Sequence, residues 1–170
     1  MRFSRTMPGA PLIAELYRQH AQGLFSVAMT VLHDSSLAED AVHDAVSRLL
    51  DDRRIDGDPV AYLYASVRNA ARDLGRRRSV RRADSISEGL FDPSLSTEGW
   101  NEPSSDLRRT LAEAVDALPP EQQEVLVMRA VGRLGFEQIA TAIGVPLGTV
   151  ASRYSRGVGA LRQQLQEVVR

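Results

Sequence analysis

The chain has 170 residues, 21 basic and 22 acidic side chains and a net charge of −1, which allows one or two small domains near the lower size limit for a self-sufficient core. Cysteine is absent, so neither a disulfide framework nor a thiolate metal centre is possible, and every basic residue is arginine. Residues 1–11 lack the apolar core of a signal peptide and no run approaches membrane length, so a cytoplasmic chain with no membrane insertion is expected. The charge is unevenly spread: 11 arginines against 10 acids over 1–78, 2 against 5 over 79–105, and 8 against 7 over 106–170. Non-specific affinity for nucleic acid grows with the number of phosphates neutralised, so weak binding by the chain alone is expected.

Pro11 opens the first predicted helix, in which Leu12, Ile13, Leu16, Tyr17, His20, Leu24, Phe25, Ala28, Val31 and Leu32 recur at three- and four-residue steps. Gly23 inside it costs about 1 kcal/mol relative to alanine, too little to end the helix. His33-Asp34-Ser35 breaks the pattern. Ser36-Leu37-Ala38-Glu39 then reads as a capping box, the serine and glutamate each answering a free backbone donor. The second helix carries Leu37, Ala41, Val42, Ala45, Val46, Leu49 and Leu50 on one apolar stripe. Glu39, Asp40, Asp44 and Arg48 lie off it.

A charged loop with Arg53 and Arg54 follows, then Asp58 as a cap and Pro59 in the first turn of a third helix. Val60, Leu63, Tyr64, Val67, Ala70, Ala71 and Leu74 form its predicted core face. Arg68, Arg72, Arg76, Arg77 and Arg78 are predicted on the outer face, with Tyr62 and Asn69 among them. Arginines interleaved with an aromatic and an amide suit distorted or single-stranded nucleic acid. The competing reading is a surface helix whose basic end complements the helix dipole. Two pairs, His33-Asp34 and His43-Asp44, have the composition of an acid–base or metal site. Sequence logic brings no third ligand or nucleophile together with either pair, and no glycine loop of phosphate-cradling pattern exists. Neither catalysis nor a cofactor is expected.

Residues 79–105 mix serine, glycine, proline and acids without periodicity and read as a flexible linker. Helix resumes at Asp106 to Leu118, with Leu107, Leu111, Val115 and Leu118 at helical spacing. Pro119-Pro120 opens another helix that stops near Gly132, and a short one runs from Phe136 to Ile143. Gly144 then supplies a residue able to take positive φ, and Pro146 leads into the last helix. A small Ala140, a turn glycine and an apolar wedge at Val150 make a helix-turn-helix. The last helix carries Ser152, Arg153, Ser155, Arg156 and Arg162 with no acid before Glu167, so its polar face can lie in a major groove. A plain helical hairpin with solvated arginines is the alternative.

The stretch LPPEQQEVLVMRAVGRLGFEQIATAIGVPLGTVASRYSRG resembles region four of bacterial sigma factors, in particular the extracytoplasmic-function group. LAEDAVHDAVSRLL and DPVAYLYASVRNAARDLGRRR resemble region two of the same family, in the family's order. The resemblance implies an all-α fold of two small helical domains, over 10–78 and 106–170, joined by the linker 79–105.

It also implies a non-enzymatic function, directing core RNA polymerase to promoters and aiding DNA melting. Glu39, Asp40, Asp44 and Arg48 would face the polymerase. Arg53, Arg54, Tyr62, Arg68, Asn69, Arg72 and Arg76 would hold the melted element, and Leu147, Gly148, Thr149, Ser152, Arg153 and Arg156 the upstream element. The partners implied are core polymerase, promoter DNA and an anti-sigma factor, with no small-molecule substrate. Ala151 stands where the family usually has lysine, which removes one phosphate contact, and Gly157 and Gly159 are expected to loosen the last helix by about 1 kcal/mol each. Two other readings stay open: a helix-turn-helix adaptor that never melts a promoter, and an all-helical metal-dependent hydrolase.

Overall fold

Residues 9–51, 55, 57–81 and 105–168 are described by the structure, a computed structural model. Among them the chain forms seven helices and no strand: α1 Gly9–Leu32, α2 Ser35–Asp51, α3 Pro59–Arg81, α4 Ser105–Asp116, α5 Pro120–Ala130, α6 Phe136–Ile143 and α7 Leu147–Val168. The expected linker lies outside the described residues apart from its ends, which belong to α3 and α4.

Helices α1, α2 and α3 pack on one another through the stripes the sequence lays out. Ile13, Leu24 and Val27 of α1 meet Leu63, Tyr64 and Val67 of α3, all fully buried, while α2 contributes Ala38, Ala41, Val42, Ala45 and Leu49. Each large aliphatic buried in this way contributes about 1.5–3 kcal/mol. The cap of α2 differs from the expectation. His33 takes a left-handed φ of 49° and ends α1, with its amide donating to Met29 O at 3.0 Å. That turn sets the Asp34 carboxylate over the next helix, where Oδ1 accepts from Leu37 N at 3.0 Å. Asp34 is therefore the cap, and Ser36 sits inside the first turn. Arg78 of α3 donates to the other carboxylate oxygen at 2.6 Å, tying the ends of two helices together. Asp58 caps α3 as expected, accepting from Val60 N and Ala61 N at 2.8 and 3.1 Å.

The second group forms around α7, which packs on α4, α5 and α6. Pro120 begins α5, where a missing amide proton costs nothing. Buried Gln123 donates to Val115 O and Asp116 O at 2.8 and 3.0 Å, answering carbonyls that the end of α4 leaves open. Gly144 closes α6 at φ 70°, the conformation expected of it, and Val150 is fully buried against Ile139 and its neighbours. Gly157 does not simply loosen α7. Its face is buried, and a Cβ there would come within 2.7 Å of Leu126 Cδ1, so the glycine lets α7 lie close on α5.

The two groups are not held apart. Helix α1 packs on α5 and α3 on α6, and the apolar core runs continuously through both. Gly23 and Gly132 lie against each other across this contact. A Cβ on Gly23 would overlap the Tyr64 hydroxyl and lie 2.8 Å from Gly132 Cα; one on Gly132 would lie 2.7 Å from the same hydroxyl. Two absent side chains thus make room for one phenol. Its hydroxyl lies 3.4 Å from His20 Nδ1, the rings meet edge to face, and burial pushes its pKa upward.

Candidate nucleic-acid interface

Two helices carry the expected nucleic-acid contacts, and the structure presents them differently. Helix α7 is fixed from behind. Val150 and Gly157 face inward, Tyr154 packs on Phe136 with ring centroids 5.2 Å apart, and Arg129 lies 5.2 Å over the Phe136 ring while donating to Leu134 O at 2.8 Å. Its outer face is left open. Leu147, Gly148, Ser155, Arg156 and Arg162 are exposed; Thr149, Ser152 and Arg153 are half-buried beside them. Arg156 donates to Ser152 Oγ at 3.2 Å, and Ser152 in turn to Thr149 O at 3.2 Å, so the polar side chains of one stripe are linked along the helix. The first amides of α7 stand at the exposed end of the stripe, where a helix offers donors and partial positive charge to an anion. All six residues expected to read the upstream element lie in this one area.

Helix α3 is only partly open. Asn69, Arg72, Arg76 and Arg77 are exposed and Tyr62 is half-buried. Arg76 is paired with Asp73 in the preceding turn. Arg68 departs from the expected outer face: it is buried at 9 % exposure. Its Nε donates to Glu124 Oε1 and its Nη2 to Glu124 Oε2 at 3.3 Å, and Arg72 Nη2 stands 4.0 Å from that second oxygen. The reason is the docking of the second helical group, since Glu124 belongs to α5 and is itself buried. A second polar contact crosses the same interface, Gln138 Nε2 donating to Asp58 Oδ2 at 3.0 Å. Arg53 and Arg54 lie outside the described residues.

On α2, Glu39, Asp40, Asp44 and Arg48 form an exposed charged face, with Arg48 donating to Asp44 at 2.6 Å. The two His-Asp pairs are accounted for otherwise. Asp34 is a cap held by Arg78, while His43 and Asp44 are exposed on α2. Among the described residues no group of three metal-binding side chains comes together, and no helix is long and apolar enough to cross a membrane. Glu124, within the helix expected after Pro119-Pro120, is not among the expected site residues, yet its carboxylate is enclosed. The helical period alone gives a signal, because Glu124 shares a side of α5 with Met128, which is fully buried.

Comparison with known proteins matches both halves of this description. Residues 16–81 match the family described as sigma-70 region 2, and residues 108–161 match sigma-70, region 4. The chain is 32 % identical over 163 residues to the ECF RNA polymerase sigma factor SigL of Mycobacterium tuberculosis, covering 94 % of this chain and 92 % of that protein. It is 31 % identical over 160 residues to SigE of Mycolicibacterium smegmatis, covering 90 % of this chain and 60 % of that one. The fold is similar to that of the sigma factor RpoE of Bartonella quintana, solved with the anti-sigma factor NepR, at a TM-score of 0.70 and 21 % identity over 90 % of this chain and 96 % of that one. CnrH, solved with the cytosolic domain of CnrY, gives 0.62 and 20 % over 92 % and 89 %.

Proposed function

The chain belongs to the ECF RNA polymerase sigma factors of the sigma-70 family, and from that membership we propose how its helices divide the work of promoter recognition. The protein directs core polymerase to promoters. The exposed acidic face of α2, with Glu39, Asp40, Asp44 and Arg48, docks on the polymerase. The exposed stripe of α7 enters the major groove of the upstream element, where Thr149, Ser152, Arg153 and Arg156 reach base edges or phosphates and the amides of Leu147 and Gly148, ahead of the Thr149 amide that donates to Pro146 O, hold a phosphate. Tyr62, Asn69, Arg72 and Arg76 of α3 hold the melted strand by stacking and charge, together with Arg68 once it is released and with Arg53 and Arg54 of the neighbouring loop. Unstacking bases costs a few kcal/mol each, which these contacts must offset. An anti-sigma factor is the natural antagonist, since the relatives RpoE and CnrH were each solved with a protein bound.

The observation that carries the reading is the pairing of an open, arginine-bearing α7 with an arginine-bearing α3 in one all-helical chain, in the family's order. Run-off transcription with core polymerase tests it. The purified chain should support initiation from a promoter selected by its own holoenzyme, and Arg153→Ala should weaken discrimination of the upstream element by about 1–3 kcal/mol. Polymerase binding without open complexes would favour an adaptor instead.

A further inference from the structure

The buried ion pair between α3 and α5 has a consequence for when α3 can act. Glu124 brings one carboxylate against two guanidiniums of the helix assigned to the melted strand: Arg68, which holds it through two hydrogen bonds, and Arg72, 4.0 Å away. A phosphate presents the same chemistry to arginine, an anion with oxygens placed for bidentate donation. Both partners are about nine-tenths buried, with side-chain exposures of 10 % for Arg68 and 6 % for Glu124. A strand therefore cannot reach Arg68 while the second helical group stays docked. We propose that Arg68 and Arg72 form a phosphate site for single-stranded DNA, that Glu124 occupies this site in the closed chain, and that nucleic acid and the second helical group compete for it. The inference rests on the reading of α3 as the strand-binding helix and adds a specific lock to it.

Among the described residues the Arg68–Glu124 pair and the Gln138–Asp58 bond cross the interface, beside the apolar packing of α1 on α5 and α3 on α6. The open stripe of α7 lies on a different surface and stays available in the closed chain. Closure therefore silences the melted-strand site and leaves the upstream reader exposed. If the competent state is a small fraction of the free chain, apparent affinity falls by that fraction, and removing one member of the lock restores it.

The test uses the full chain and a fluorescein-labelled single-stranded DNA oligonucleotide. Glu124→Gln, shown to be folded by circular dichroism, should bind the strand about tenfold more tightly than the native chain, since loss of one partner of a buried pair shifts closure by at least that factor. Adding Arg68→Ala should remove most of the gain. A folded Glu124→Gln chain with unchanged affinity overturns the proposal. A second arm covers the case in which Glu124→Gln fails to fold. The chain has no cysteine, so Asp58→Cys with Gln138→Cys, bridged by a short bismaleimide, locks the interface selectively. The bridged chain should lose strand binding severalfold relative to the same variant unbridged; equal affinity overturns the proposal. Failure of the underlying reading looks different: Arg72→Ala would then leave strand binding unchanged in every form, locked or open.

Discussion

Glycines that look alike in the sequence have opposite energetics in the structure. By helix propensity alone, Gly23, Gly157 and Gly159 should each gain about 1 kcal/mol on replacement by alanine. At Gly23 the added Cβ would overlap the Tyr64 hydroxyl and crowd Gly132 Cα, and a backbone neighbour cannot move aside cheaply. Overpacking of that kind costs about 1–3 kcal/mol, so the steric effect outweighs the propensity gain. Gly23→Ala should accordingly lower the urea midpoint, whereas Gly159→Ala, with open space around it, should raise stability by up to about 1 kcal/mol. Equal shifts for the two variants would contradict the close approach at Tyr64. Gly157 falls between them, because the atom it meets is the end of the Leu126 side chain, which can rotate.

Among the elements, α2 depends most on a single side chain. The Leu37 backbone N–H, followed by the Arg78 guanidinium, holds the Asp34 carboxyl below its ordinary pKa of 3.8. A depressed folded-state pKa gives stability that is fully present above the ordinary value and is lost as pH falls through the folded one. Asp34→Ala should cost about 0.5–2 kcal/mol at neutral pH, the usual value of a cap, and the gap to the native chain should narrow in acid below about pH 4. A gap independent of pH in urea titrations would reassign the effect to packing. The same helix shows what could be read in advance. Its apolar stripe and length were legible because they are local and periodic, as were the Asp58-Pro59 start of α3 and the left-handed Gly144. Its cap was not, because three residues able to cap, Asp34, Ser35 and Ser36, follow one another and the left-handed turn at His33 chooses among them. Arg68 was hidden for a different reason. On α3 it stands between Tyr64, Val67 and Ala71, all fully buried, but its ion-pair partner belongs to the second helical group, 56 residues away. The exposed polar faces of α7 and α2 were legible from helical spacing; the enclosure of a residue by a distant element was not.

At the level of the whole molecule, the shared core and the buried pair make two helical groups behave as one. Removing one partner of such a pair leaves a desolvated charge, so Arg68→Ala or Glu124→Ala alone should cost about 3–5 kcal/mol and split thermal unfolding into two steps. Arg68→Met with Glu124→Leu should come within about 1 kcal/mol of the native chain, because apolar side chains of similar volume carry no desolvation cost. A strongly destabilised double variant would show that the charges themselves, and not apolar packing at that place, hold the groups together. On the proposed reading, stability and strand binding make opposed demands on the same arginine. The outer arginines carry no such conflict, and salt dependence separates the two kinds. Arg76 and Arg77 are exposed, so Arg76→Ala with Arg77→Ala should flatten the slope of log affinity against log salt by about 1.4 for a single strand, roughly 0.7 for each phosphate no longer neutralised. Thermal stability should stay within about 0.5 kcal/mol, as for other surface changes. An unaltered slope would assign those two arginines to protein contacts and leave Arg68 and Arg72 as the charges on α3 that meet the strand.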